Sequence, residues 1–206
     1  MAVAALIVYV AWIVIAFGIR TLVALRSTGD SGFRGLSGKI LSVEGFAGVL
    51  FAVALCIGVA APFADLAGVP RVPALDSSAV SWLGLIVAGF GVALTFAAQL
   101  SMGNSWRIGV DEEERTDLVV DGAFSITRNP IFSAMVVTAI GLVLMVPNAL
   151  GMTGLVCLIV ALELQVRFVE EPYLRRVHGG AYDAYAQRVG RFAPAIGRVR
   201  ADALTR

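Results

Sequence analysis

Long apolar runs alternate with shorter polar segments along the chain. Five runs stand out: Ala2 to Leu25, Val43 to Ala61, Val80 to Leu100, Ile131 to Val146, and Ala149 to about Val169. Most are long enough for a helix to cross the roughly 30 Å hydrocarbon core of a bilayer. The fourth is short, since its residues reach only about 24 Å at about 1.5 Å each. The pattern predicts an all-α integral membrane protein with about five transmembrane helices.

Two further features of these runs lead to structural expectations. The fourth and fifth runs are separated only by Pro147 and Asn148, a pair typical of turns, so we expect the two helices to form a tight hairpin that inserts together. The first run lacks a preceding basic segment and is too long for a signal peptide, which predicts a retained helix.

Composition and charge support this class. Hydrophobic residues make up 58% of the 206 residues, and charged residues only 15%. This excess does not fit inside one soluble core, and the net charge of +1 argues against a nucleic-acid binder. Of the 16 basic residues, all but Arg71 fall on one side of the predicted membrane. The positive-inside rule therefore places the N-terminus outside and the C-terminus in the cytoplasm, and we expect a bacterial plasma membrane.

Polar sequence is concentrated in two cytoplasmic pieces, residues 101–129 and 167–206, on either side of the hairpin. We therefore expect residues 1–100 to be a three-helix scaffold and residues 101–206 to carry the function. Aromatic and basic residues recur at helical intervals after Pro172, which predicts amphipathic helices on the cytoplasmic membrane surface. The cysteines Cys56 and Cys157 lie in apolar runs and His178 is the only histidine, so no metal site is expected.

The stretch SITRNPIF, residues 125–132, has two interpretations. Asn129 is a favoured N-cap and Pro130 a favoured first residue, so the pair starts the fourth helix. Alternatively, the free N–H groups of that helix start and the guanidinium of Arg128 bind an anionic or polar ligand group. Phe124 and Phe132 offer apolar surface for an adenine ring or a lipid tail, and they serve equally well as interface anchors.

A second charged pattern lies at the end of the fifth run. Glu163, Arg167 and either Glu170 or Glu171 fall on one helical face, four and then three or four residues apart. One interpretation is a self-neutralising ladder of ion pairs at the helix end. The other is a site in which Glu170 or Glu171 binds a cationic ligand group and Arg167 orients an acceptor, since ionisable residues near the bilayer need a partner or a polar cavity.

Together these segments resemble a known family. LVVDGAFSITRNPIF and EEPYLRRVHGGAYDAYAQRVGRFAP are similar to the paired signatures of the isoprenylcysteine carboxyl methyltransferases and their phospholipid methyltransferase relatives. MGNSWRIG resembles the polar stretch that follows the preceding helix in that family. The resemblance covers roughly residues 100–194, in the right order and with an apolar hairpin between the halves.

The resemblance implies an integral membrane methyltransferase that uses S-adenosylmethionine. The residues it implies for cofactor binding are Thr116, Asp117, Leu118, Val119, Phe124, Asn129, Pro130, Ile131, Phe132 and Glu170. The catalytic candidates are Arg167, Glu171 and Arg128. Asn129 and Phe132 stand where the family usually has His and Tyr, and because neither side chain can act as a base, we expect them to have binding roles.

The implied acceptor is a lipophilic small molecule or a lipidated substrate that enters from the bilayer, with a carboxylate, a lipid, an isoprenoid or a small thiol among the candidates. Membrane lipids are the other expected partners, no nucleic acid is expected, and the oligomeric state stays open. Two alternatives are an NADPH-dependent membrane reductase of the sterol-reductase type and a non-enzymatic lipid-binding scaffold. Binding of S-adenosylhomocysteine or of NADPH would separate the two enzymatic hypotheses.

Overall fold

The described part of this computed structural model, residues 1–29, 42–102 and 117–199, is helical apart from short loops and isolated bridges. Its α-helices are α1 (Ala2–Ile13), α2 (Arg20–Thr28), α3 (Val43–Leu66), α4 (Ser78–Met102), α5 (Pro130–Met145), α6 (Ala149–Gln165), α7 (Glu171–His178) and α8 (Gly180–Arg188). Two π-helical segments, Val14–Ile19 and Val166–Glu170, join α1 to α2 and α6 to α7. Short 3₁₀ turns occur at Pro73–Leu75 and Gly122–Ser125.

Four helical stretches are long and apolar enough to cross a membrane: Ala2–Arg26, Val43–Leu66, Ser78–Met102 and Ala149–His178. The fifth apolar helix, α5, has only 16 residues. This confirms the all-α membrane fold and the short fourth run. The last stretch has 30 residues and reaches about 45 Å, so its C-terminal part extends past the hydrocarbon core.

Small residues bring α4 and α5 into close antiparallel contact. A Cβ atom at Gly84 would lie 2.6 Å from the backbone nitrogen of Met145, and one at Gly91 would lie 2.5 Å from that of Thr138. No side chain larger than hydrogen fits at either position. Because the bilayer supplies no hydrophobic drive between helices, this close backbone approach is what stabilises the pair.

The turn between α5 and α6 is the short one that the sequence predicts. Its Asn148 is fully buried, donates from Nδ2 to the carbonyl of Ala61 at 2.9 Å, and caps α6 by accepting from the N–H of Gly151 at 2.9 Å. From this turn the two helices find different main partners, α4 for α5 and α3 for α6. Helix α1 packs against α3, with Tyr9 Oη donating to the carbonyl of Leu55 at 2.7 Å.

The bundle has two polar ends, which we call the turn end and the site end. The turn end comprises residues 65–77 and 146–151, where the N–H of Val72 donates to the carbonyl of Pro147 at 2.7 Å. There Arg71 Nε donates to Asp65 at 2.6 Å and its Nη1 to Asp76 at 3.1 Å. The site end comprises residues 99–102, 117–133 and 163–199.

Candidate functional site

The start of α5 is held by the C-terminal segment that follows α8. The N–H of Arg128 donates to the carbonyl of Gly190 at 2.8 Å, and that of Asn129 donates to the carbonyl of Arg191 at 3.1 Å. The hydroxyl of Thr127 donates to the same Arg191 carbonyl at 3.0 Å. Two stretches far apart in sequence thus form one small structural unit.

A buried cluster of charges, which we call the Glu171 cluster, lies beneath this unit and contains Glu171, Arg128 and Arg191. Glu171 is 4% exposed and Arg128 is 5% exposed. Arg128 Nη2 donates to Glu171 Oε1 at 2.9 Å, while Arg191 donates from Nε to Oε1 at 2.7 Å and from Nη2 to Oε2 at 2.9 Å. The two hydrogen bonds that Arg191 donates to Glu171 raise the pKa of the Arg191 guanidinium above its usual value. Both oxygens of Glu171 are therefore occupied.

Arg128 is largely committed to the protein itself. Its Nη1 donates to the carbonyl of Ala186 at 3.3 Å, and its Nη2 also donates to the carbonyl of Gly197 at 3.0 Å. Only its buried Nε has no partner. A guanidinium used in this way fixes α5, α7, α8 and the C-terminal loop relative to one another.

The neighbouring Glu170 has a different environment. It is half-buried, and its hydrogen-bonding neighbour is Gln165. Within residues 1–29, 42–102 and 117–199, no arginine is paired with it. Of the two adjacent glutamates, Glu170 is thus the one whose carboxyl group is not already paired with an arginine in the described residues.

Among the described residues, Arg167 makes no ion pair with the Glu171 cluster. Its side chain is 52% exposed and pairs with Glu163, one turn earlier on the same helix. The first rung of the predicted ion-pair ladder is therefore present. The role of Arg167 in orienting the acceptor stays a prediction.

Two of the predicted cofactor residues near Asp121, Leu118 and Phe124, contact α8. Asp117 is exposed, Leu118 packs against the Tyr182, Tyr185 and Ala186 core, and Val119 is half-buried. Phe124 is buried, and its carbonyl accepts a hydrogen bond from Tyr185 Oη at 2.6 Å. Thr116 lies outside the described residues.

Burial raises the pKa of Tyr185 to about 12 and also raises the pKa of Tyr182. Both phenols therefore stay protonated at neutral pH, and that of Tyr185 donates the hydrogen bond to Phe124. Neither phenol is a base for a neighbouring group.

Asn129 occupies the N-cap position of α5 and Pro130 the first helical position, as the sequence predicts, but the Asn129 side chain makes no capping bond. Instead, its Nδ2 donates to the carbonyl of Arg191 at 3.0 Å. Ser133 adds a bond to the carbonyl of Phe192 at 2.7 Å. Asn129 therefore ties the helix start to the C-terminal segment.

Pro130 is buried, and Ile131 and Phe132 pack on a membrane-embedded cluster of Tyr9, Trp12, Ala16 and Met135. The two predicted cofactor residues thus separate the polar site end from the apolar interior.

Arg191 is the residue of this site that sequence reasoning missed. The RFAP motif containing it was part of the family resemblance, but that pattern gave no sign of a contact with Glu171, 20 residues earlier. The available signal was the arginine that the family signature places in this motif, far along the chain from its acidic partner.

Comparison with known proteins identifies a family and several relatives that match part of this chain. The family model described as phospholipid methyltransferase matches residues 79–181. A probable protein-S-isoprenylcysteine O-methyltransferase of Oryza sativa subsp. indica is 27% identical over 119 residues, covering 57% of this chain and 62% of the relative. Protein-S-isoprenylcysteine O-methyltransferase B of Arabidopsis thaliana is 28% identical over 119 residues, covering 57% of this chain and 60% of the relative. The matched region spans about three fifths of each relative.

A solved structure shares the fold. The eukaryotic intramembrane Ras methyltransferase, isoprenylcysteine carboxyl methyltransferase, superposes with a TM-score of 0.58. The superposition covers 96% of this chain and 70% of that chain, at 17% sequence identity. At this identity the likeness shows a common arrangement of helices.

Proposed function

The chain belongs to the phospholipid methyltransferase family, and from this premise we propose that it transfers a methyl group from S-adenosylmethionine to a lipophilic acceptor. The described residues that the family resemblance assigned to the cofactor all belong to the site end. The curated relatives are named for methyl transfer to protein-S-isoprenylcysteine, which makes a lipidated cysteine one candidate acceptor.

The observation that carries the proposal is the contrast between Glu170 and Glu171. The cofactor has an ammonium group, and a half-buried carboxylate without an arginine partner in the described part of the chain fits it. Glu171 does not fit this role because Arg128 and Arg191 already use both of its oxygens. We therefore assign ammonium binding to Glu170.

S-adenosylmethionine, when bound, supplies an activated methyl group on a sulfonium sulfur. Transfer of that group depends on alignment of the donor with a nucleophile, and rigid positioning can contribute several kcal/mol, up to about 7–11. The Glu171 cluster supplies such rigidity because it locks α5 to α7 and the C-terminal loop. We thus infer that Arg128, Glu171 and Arg191 are positioning residues.

The remaining assignments follow from location. Leu118 and Phe124 lie against α8, with Asp117 and Val119 next to Leu118 in the chain, and we assign Asn129 to Phe132 to the floor of the site toward the bilayer. We place the site end at the cytoplasmic face, in line with the distribution of basic residues. The acceptor then reaches the floor from the membrane, and Arg167 orients it from the exposed surface of the helix that joins α6 to α7.

Ligand-induced thermal stabilisation of the purified protein tests this proposal. S-adenosylhomocysteine should raise the melting temperature and NADPH should not, because a ligand that binds only the folded state stabilises it by mass action. Glu170→Gln should weaken S-adenosylhomocysteine binding by about tenfold or more, as expected for loss of a charge-assisted hydrogen bond, while the melting temperature without ligand changes little.

Glu163→Gln is the matched control, since it removes a carboxylate from the exposed face of the same helix. It should leave S-adenosylhomocysteine affinity unchanged. No stabilisation by S-adenosylhomocysteine would overturn the methyltransferase proposal. Stabilisation that is equal in wild type and Glu170→Gln would overturn only the role of Glu170.

A further inference from the structure

Gln99 is an unusual residue inside the bundle. It lies in the membrane-spanning helix α4, is 2% exposed, and donates from Nε2 to the carbonyl of Ala16 at 2.8 Å. Its other polar atom, Oε1, is buried and has no partner. The bond to Ala16 fixes which end of the amide is the oxygen, so the unpartnered group is a hydrogen-bond acceptor.

An unpaired acceptor inside a membrane protein is costly, because no bulk water is available to it. Buried polar residues in transmembrane helices are therefore functional candidates. Ala16 lies in the π-helical segment Val14–Ile19, and such segments occur frequently at functional sites. One turn earlier, the buried indole Nε1 of Trp12 also lacks a partner.

The register of α4 against α5 places Gln99 beside the candidate site. Position 84 lies against position 145, position 88 against position 141, and position 91 against position 138. Continued along the same antiparallel pair, this register sets position 99 level with Pro130, the first residue of α5. Gln99 therefore lies at the level where the predicted cofactor floor begins.

Its surroundings are apolar. Ala16, the partner of Gln99, packs in the cluster with Trp12 and Met135, against which Ile131 and Phe132 also lie. Trp12 and Met135, though not Gln99 itself, line an apolar cavity of about 50 Å³ between α1, α3, α5 and α6. The molecule suited to this side of the floor is the lipophilic acceptor, whereas the charged parts of the cofactor fit the side where Glu170 lies.

We propose that Gln99 is a specificity-determining residue whose Oε1 accepts a hydrogen bond from an O–H or N–H group of the methyl acceptor. This inference rests on the proposed function. A carboxylate, an ester or an ether offers only acceptor oxygens and cannot pair with Oε1. The acceptor class is thus a lipophilic molecule that carries an O–H or N–H donor, such as an alcohol, an amine, or a lipidated cysteine with its amide.

Matched pairs of probes test this recognition. Farnesol is compared with farnesyl methyl ether. N-acetyl-S-farnesylcysteine is compared with N-acetyl-N-methyl-S-farnesylcysteine, in which a methyl group replaces the amide hydrogen. Binding is measured by thermal stabilisation of the protein with S-adenosylhomocysteine present. At least one donor-bearing probe should bind wild type about three- to tenfold more tightly than its methylated partner, the range expected for one neutral hydrogen bond. Gln99→Met should bring that ratio close to one.

Thr95→Val is the control, because Thr95 is a fully buried polar residue one turn earlier on α4 whose hydroxyl is already paired with the carbonyl of Gly91 at 2.9 Å. It should preserve the ratio. Gln99→Glu keeps an acceptor oxygen, and it should retain more of the preference than Gln99→Met if it folds. A purely structural role for Gln99 would weaken both members of a pair equally.

Wild-type ratios near one for both pairs, including the case in which no probe binds, overturn the inference. So does a preference that survives in Gln99→Met. Stabilisation by S-adenosylhomocysteine alone is recorded in the same samples, so failure of the proposed function is seen separately from failure of the role of Gln99.

Discussion

At the turn end of the bundle, polar groups are matched to each other, whereas at the site end several are not. Asn148 uses both ends of its amide, and Arg71 joins Asp65 and Asp76. At the site end, Gln99 Oε1, Arg128 Nε and His178 Nε2 are buried without a partner. Within the described residues, the turn end has no such atom.

This difference is informative because an unpaired buried polar group costs free energy that a purely structural region has no reason to bear. The turn end holds four helices together where the chain reverses between α3 and α4 and between α5 and α6. The site end contains one fully paired carboxylate, Glu171, beside one without an arginine partner in the described chain, Glu170. We therefore propose that positioning and binding are divided between these adjacent residues.

The largest expected effect would come from breaking the Glu171 cluster. Glu171→Gln leaves two buried or half-buried guanidinium groups without their counter-ion, and removal of one partner of a buried ion pair costs about 3–5 kcal/mol. The free energy of unfolding, measured by denaturant titration in detergent micelles, should fall by about that amount. S-adenosylhomocysteine binding should be lost along with the folded site end.

Glu170→Gln is the matched comparison, because it makes the same change one residue away. It should lower ligand affinity while leaving the free energy of unfolding within about 1 kcal/mol. If both variants behaved alike in unfolding, the division between a positioning and a binding glutamate would be wrong.

An intermediate effect is expected at the turn end. Asn148→Ala removes the cap of α6 and the buried hydrogen bond to the carbonyl of Ala61, which should cost about 1–3 kcal/mol in unfolding free energy. S-adenosylhomocysteine affinity per folded molecule, measured by isothermal titration calorimetry, should stay unchanged because this end is remote from the site.

Thr153→Ala is the control for that variant, since the Thr153 side chain is exposed and bonds only to the carbonyl of Ala149 in its own helix. Its effect on unfolding should be within about 0.5 kcal/mol. A loss of ligand affinity in Asn148→Ala would show that the two ends are coupled, contrary to the contrast drawn above.

The smallest effect on stability is expected for Arg167→Ala. An exposed ion pair within one helix contributes at most about 1 kcal/mol, so the unfolding free energy should hardly change. If Arg167 orients the acceptor, KM for the acceptor should rise in a methyl-transfer assay while S-adenosylhomocysteine affinity is preserved.

Glu163→Gln shows whether a change in KM comes from loss of the Arg167 guanidinium or only from loss of its ion pair with Glu163. It breaks the same ion pair but leaves the guanidinium in place, so it should not raise KM for the acceptor. Equal KM values in wild type and Arg167→Ala would remove Arg167 from the site.

Several features of the fold were readable from the sequence because they depend on local properties. The apolar runs, the short fourth helix, the turn at Pro147 and Asn148, and the helix start at Pro130 follow from hydropathy, helix rise and backbone preference. The order of the segments that resemble the methyltransferase family can also be read directly from the sequence. None of these conclusions required knowledge of which helices touch.

The pairing of individual polar residues was decided only by the tertiary structure. The charge pattern along the helix left either Glu170 or Glu171 as the ligand for a cationic group, and only the positions of Arg128 and Arg191 show that Glu171 is the one already paired. The same holds for Gln99. Only the structure shows that its Nε2 is bonded to the carbonyl of Ala16, 83 residues away, and that its Oε1 is left without a partner. The sequence by itself determined the membrane helices and the family, because hydrophobicity and motif order are properties of the chain. The tertiary structure decided which charges neutralise one another, because burial and pairing arise only when distant segments pack together.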